Sequence, residues 1–212
     1  MFCSKQRQEG KKKNNCPLPF PRLHSLKTKA VEKETFVAQT KKWILDVVVG
    51  CNFCPFALPE VKKASIYYDV IAGNKADVLK ALSASLQQMT AQAAIETMFL
   101  ILPQNFDRFP DYLKLVAAAE ALLKKEGYEG IFQVASFHPS YVFAGAGLND
   151  AANFTNRSPY PMLHILREES VSRAVDSVPG AHKIPERNIA FARQKGLAYM
   201  QALFAGSKKI DD

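Results

Sequence analysis

Strand-like and helix-like stretches alternate along this chain and predict an α/β fold: a small, mostly parallel sheet of three to four strands packed with about five helices. Three observations carry that expectation. Short apolar or alternating runs at residues 65–71, 97–102 and 131–137 have the length and composition of strands. The segments between them repeat apolar residues at helical spacing, and the crossovers are long enough for right-handed βαβ units. A chain of 212 residues with 48% hydrophobic residues can bury one sizeable core. The alternative is an α+β arrangement in which one of these strands runs antiparallel.

Residues 1–30 stand apart from that pattern. Lys5, Arg7, Lys11, Lys12, Lys13, Arg22, Lys27 and Lys29 face Glu9 alone, so nearly all of the formal net charge of +8 sits there. With Pro17, Pro19 and Pro21 and no hydrophobic periodicity, the stretch is expected to be a disordered basic tail on a single domain spanning 31–207. The domain itself is close to neutral, so bulk charge gives no reason to expect nucleic-acid binding. No apolar secretion core and no run of membrane-spanning length is visible, and four cysteines are too few for a disulfide framework. A cytosolic protein, with neither membrane nor nucleic acid as partner, is expected.

The domain opens with Phe36, Val37, Thr40, Trp43, Ile44, Val47 and Val48 at helical spacing, and Gly50 stands where a C-cap glycine belongs. Pro55 discourages helix through Cys51-Asn52-Phe53-Cys54. Residues 65–71 alternate as a strand and stop at Gly73-Asn74. Asn74 or Asp77 then caps a helix holding Val78, Leu79, Leu82, Leu86 and Met89. The continuous apolar run at 97–102, ended by Pro103, has the character of a strand buried on both faces. A helix over 110–126 turns Leu113, Val116, Ala119, Leu122 and Leu123 inward and stops at Gly127. The strand at 131–137 ends at His138-Pro139, and Tyr141-Val142-Phe143 suggest a short fourth strand.

From Pro161 the spacing predicts a helix to about residue 177. Proline suits a first helical turn, because φ is preset and its missing N–H would lack a helical partner anyway. Met162, Leu163, Ile165 and Leu166 would share one side. His164, Arg167 and Glu168 would share the other, with His164 and Glu168 one turn apart. Asn156 and Arg157 precede this start, where an anion can meet free N–H groups and the positive end of a helix dipole. A last helix is expected over about 185–204, opening with Glu186-Arg187-Asn188.

Chemistry is weakly signalled. The Cys51–Cys54 pair follows a helix C-terminus, whose dipole would raise a thiol pKa, so a thioredoxin-like role is not expected. Cys51, Cys54, His138 and His164 are legitimate zinc ligands but lack a second closely spaced pair, so no metal is expected. Gly145 and Gly147 are not followed by the glycine spacing of a dinucleotide or P-loop site, and no cofactor is expected. His138 closes a strand at the carboxyl end, where open α/β sheets usually place ligands.

Three stretches, GCNFCPF at residues 50–56, QVASFHPSYVFAG at 133–145 and TNRSPYPMLHILRE at 155–168, together resemble the bacterial family known as domain of unknown function 1415. The ERN at 186–188 fits as well, and the likeness runs from about Phe36 to Leu203. The resemblance implies no established activity. The family usually has Leu in place of Cys51, which implies that Cys54 is the only thiol to carry over. The residues then suggest an enzyme on a small anionic carboxylate or phosphate substrate. His138 or His164 would move a proton, Glu168 would orient His164, Cys54 would serve as nucleophile or wall, and Asn156, Arg157, Arg167 and Arg187 would hold the anion. The alternative is a non-catalytic ligand- or protein-binding module using the same cleft.

Overall fold

The computed structural model describes residues 23–210, with side chains from residue 32 onward. Of the basic tail, residues 1–22 lie outside the described residues, and the first helix, α1 (Leu23–Trp43), begins inside the stretch assigned to that tail. It runs into a π-helical turn, Ile44–Val49, a wider form often found next to functional sites. Gly50 closes this turn with φ −60°, so it is not the left-handed cap its position suggested. The glycine is needed for another reason: a Cβ there would stand 2.2 Å from the backbone oxygen of Asp46.

After a short helix α2 (Ala57–Lys62), strands β1 (Ile66–Val70), β2 (Thr97–Ile101) and β3 (Phe132–Phe137) alternate with α3 (Lys75–Ala91) and α4 (Phe109–Lys125). Asn74 caps α3 as its sequence position predicts: its side chain accepts from the N–H groups of Ala76 and Asp77, and the Asp77 carboxylate returns a bond to the Asn74 N–H. Strand β4 (Met162–Arg167) and helices α5 (Glu168–Ser177), α6 (Ile184–Lys195) and α7 (Leu197–Ser207) complete the fold. No helix among the described residues is long and apolar enough to cross a membrane.

The α/β expectation holds, with a sheet of order β1-β2-β4-β3. β1 and β2 pair in parallel, whereas β4 lies antiparallel between β2 and β3. Three strands therefore share a direction and the inserted one runs against them, the feature held open as the α+β alternative.

Three local expectations need correction. The helix over 161–177 is in fact strand β4 followed by helix α5. Short apolar runs such as Met162-Leu163-His164-Ile165-Leu166 suit either period, and the slot between β2 and β3 decides for the strand. Tyr141-Val142-Phe143 form no strand. The last helix is two, because Gly196 breaks it with φ 82°, a backbone region that side-chain-bearing residues avoid.

The core has two layers. Val78, Leu82, Leu86 and Met89 of α3 and Tyr112, Leu115, Ala119 and Leu123 of α4 pack on one sheet face, against Met98, Leu100, Leu163 and Ile165. On the other face Trp43, Ile44, Val47, Phe154, Ala192 and Met200 cover Val70, Phe99, Ile101 and Met162. Tyr112 is fully buried and bridges two strands: its hydroxyl donates to the Met162 carbonyl at 2.7 Å and accepts from the Phe137 N–H at 3.0 Å. Tyr112→Phe removes both of these buried hydrogen bonds, and chemical denaturation is expected to register a loss of about 1–3 kcal/mol.

Candidate functional site

The second sheet face carries a ladder set by strand register. Tyr68, Phe99, His164 and Ala135 are direct neighbours across β1, β2, β4 and β3. Tyr68 stacks on Phe99, and Phe99 lies flat against the His164 ring with centroids 3.8 Å apart. The row then ends in Ala135, and a methyl group where the others carry rings leaves space. The next row toward the amino ends of β1, β2 and β3 is Ile66, Thr97, Leu166 and Gln133.

All of these residues except Tyr68 floor a cavity of about 320 Å³. Trp43, Ile44 and Val48 form one wall, and Cys54, Phe56, Ala57 and Glu60 form another. Ser170, Val171 and Ala174 of α5 close it, and Glu96 stands at the start of β2. The lining is overwhelmingly apolar. The cavity thus lies toward the amino ends of the three co-directional strands, opposite to the carboxyl ends where His138 was expected to mark a site.

His164 is the polar centre of the floor. Its Nε2 lies 2.5 Å from the Thr97 hydroxyl oxygen, and that hydroxyl donates its single hydrogen to the Ile165 carbonyl at 2.7 Å. The proton between Thr97 and His164 must therefore belong to Nε2, which leaves Nδ1 a bare acceptor. Burial pushes the His164 pKa down to about 3, so the ring is neutral at physiological pH. Because residues 162–167 form a strand, Glu168 is not one helical turn away. Four residues of strand span roughly 13 Å, and Glu168 does not line the cavity.

The other candidates are placed as follows. His138 is fully buried with both nitrogens engaged: Nδ1 accepts from the Ser140 N–H and Nε2 bonds the Phe106 carbonyl. Burial lowers its pKa too. Asn156 bonds the Ser136 carbonyl and Thr155. Arg157 donates to the carbonyls of Tyr141 and Leu148, and its guanidinium sits 4.3 Å over the Phe154 ring. Arg167 borders the cavity, but its guanidinium clasps the carbonyls of Met89 in the last turn of α3 and of Gln92 and Ile95 just after it. Arg187 holds the Asn52 carbonyl, and Asn188 donates to the Phe53 carbonyl at 2.7 Å. The ERN stretch thus pins the cysteine loop.

Of the eight candidates, His164, Cys54 and Arg167 border the cavity, and His138, Asn156, Arg157, Glu168 and Arg187 do not. Cys51 and Cys54 are both free. Burial raises the Cys54 thiol, while N–H groups of Phe56 and Ala57 and the charge of Arg187 hold it back. Burial also raises Cys51. Among the described residues no three of His, Cys, Asp and Glu cluster closely enough to hold a metal ion.

Sequence reasoning missed Glu60, Glu96, Gln133 and Ala135. Glu96 had a usable signal, since an acid abutting a wholly buried strand is a costly placement. One buried oxygen of that carboxylate has no hydrogen-bond partner.

The chain matches, over residues 35–202, the family described as protein of unknown function (DUF1415). It belongs to this family. The DUF1415 span contains every residue that lines the cavity and leaves out the basic tail. No curated protein and no solved structure matches the chain.

Two outcomes are expected for this DUF1415 protein. Arg157→Ala removes charged bonds to two loop carbonyls, and denaturation should show a loss of roughly 1.5–3 kcal/mol that Arg157→Lys does not restore. Acid titration should expose the neutral histidines. An unfolded histidine takes up its proton near its ordinary value of 6.5, whereas folded His164 does so only near 3. For His164, stability is therefore lost as pH falls from about 6.5 toward 3, by about 1.4 kcal/mol per pH unit. His164→Phe should flatten that slope in pH-dependent denaturation.

Proposed function

We propose that this protein binds a small, largely apolar molecule in the cavity between the sheet and α5. The observation that supports this reading is the cavity itself. Its 320 Å³ falls within the range of small-molecule sites, about 300–1,000 Å³, and a few polar groups sit on an apolar, aromatic floor. Residues of α5 close one side, and α5 contributes no buried residue of its own, so its seat on the cavity is light.

An enzyme acting on a small anion draws less support from the geometry. Arg157, Arg167 and Arg187 are all engaged by backbone carbonyls, and His138 by backbone on both ring nitrogens. A histidine with a pKa near 3 is a weak proton acceptor at neutral pH. One observation keeps a catalytic reading in view: Cys54 borders the cavity, with the N–H groups of Phe56 and Ala57 facing its thiol. Cys54→Ser distinguishes the two, since binding alone survives the change and nucleophilic turnover does not.

The cavity reading is tested with indole as probe. Saturating indole is expected to raise the melting temperature, in line with about 2.7 kcal/mol at a hundredfold excess over Kd. Ala135→Leu, which fills the gap beside His164, should abolish the rise. A wild-type protein indifferent to indole and other apolar probes would overturn the proposal.

A further inference from the structure

Two unpaired acceptors at the cavity lining deepen the reading above, on which this inference rests. The Gln133 amide also lines the cavity and offers a donor and an acceptor of its own. Glu96 Oε1 is buried without a hydrogen-bond partner. Nδ1 of His164 has neither proton nor partner, because Thr97 donates its hydroxyl hydrogen to Ile165 and forces the ring proton onto Nε2. The second carboxylate at the lining, Glu60, is already satisfied by Ser65 at 2.6 Å and Lys63 at 2.9 Å. Arg167, the only arginine among the described residues that borders the cavity, has its guanidinium turned to backbone carbonyls.

A buried acceptor without a donor costs free energy that a ligand's N–H can recover. A carboxylate does best with a charged donor, which forms a shorter and stronger bond. The remaining lining matches a cation as well: Trp43, Phe56 and Phe137 bring aromatic rings to the cavity, and ring faces attract positive charge. An apolar cavity of about 150 Å³ is enough for one benzene, so 320 Å³ has room for a ring and a short chain. We infer that the cavity takes a protonated primary amine on an aryl-sized apolar body. Its ammonium group bonds Glu96 Oε1 and His164 Nδ1, and its body lies among Trp43, Phe56, Phe99 and Phe137.

Calorimetric titration of the full chain with three matched probes tests this: 2-phenylethylammonium, the neutral donor 2-phenylethanol and the anion 3-phenylpropanoate. The amine is expected to bind at least tenfold more tightly than the alcohol, and the carboxylate more weakly than either. Glu96→Gln should cut amine affinity tenfold or more and leave alcohol affinity within about twofold. Alcohol binding that Ala135→Leu blocks, with amine no tighter or carboxylate tightest, would keep the cavity reading and overturn the amine. Failure of all three probes to bind would overturn both. The wild-type probe series decides the question even if the glutamate variant does not fold.

Discussion

Strand β4 is the constraint on which the structure depends. β2 and β3 do not pair with each other, and only β4 joins them. Were residues 162–167 helical, the sheet would separate into a β1–β2 ribbon and a lone β3, and two-stranded ribbons are marginal in water. Both ends of β4 are fastened by side chains from the opposite layer or directed to it. Tyr112 holds the Met162 carbonyl at one end, and Arg167 reaches the carbonyls beyond α3 at the other. The cavity follows from this placement. Antiparallel pairing on both sides puts His164 level with Phe99 and Ala135, so a ring meets a ring on one flank and a gap on the other.

The chemistry of His164 follows from the same register. A charged imidazolium in an apolar floor would be costly, and the surroundings offer no carboxylate bonded to it. The neutral ring is instead held by π-stacking on Phe99 and by one hydrogen bond to Thr97, itself tied to β4 through Ile165. A single hydroxyl hydrogen sets the tautomer. His138 shows the contrasting outcome on the far end of β3: two backbone partners satisfy both nitrogens, and the ring becomes a loop fastener.

Much of the fold was legible in the sequence, and the site only in fragments. α3 and α4 were readable because each is long enough to repeat its apolar spacing several times and carries its own start signal, the Asn74 cap or the Pro110 turn. β2 was readable because it is apolar on both faces. β4 was not, since six residues cannot separate a strand period from a helical one, and that ambiguity moved His164 into the wrong company. Read as helix, it shared a polar face with Arg167 and Glu168; paired as strand, it shares a face with Met162 and Leu166. Cys54, which borders the cavity, stood out through its motif. Glu60, Glu96 and Gln133 are single polar residues on three separate elements, and only the pairing of strands and the packing of α2 bring them to one lining.

The arginines show why charge in a sequence is a poor guide to the sign of a ligand. A fold of short strands and tight loops leaves many carbonyls outside any ladder or helix, and each needs a donor. A guanidinium, with five N–H groups in a rigid fork, can serve several carbonyls at once. Arg157 does so for the loop before β4, Arg167 for the turns after α3, and Arg187 for the cysteine loop. Cations that looked like anion anchors in sequence thus act as struts in space. Once they are engaged, the cavity lining is left with rings, a neutral imidazole, the Gln133 amide, a Glu60 carboxylate paired with Lys63 and the unpaired Oε1 of Glu96. None of this follows from the basic composition of the chain.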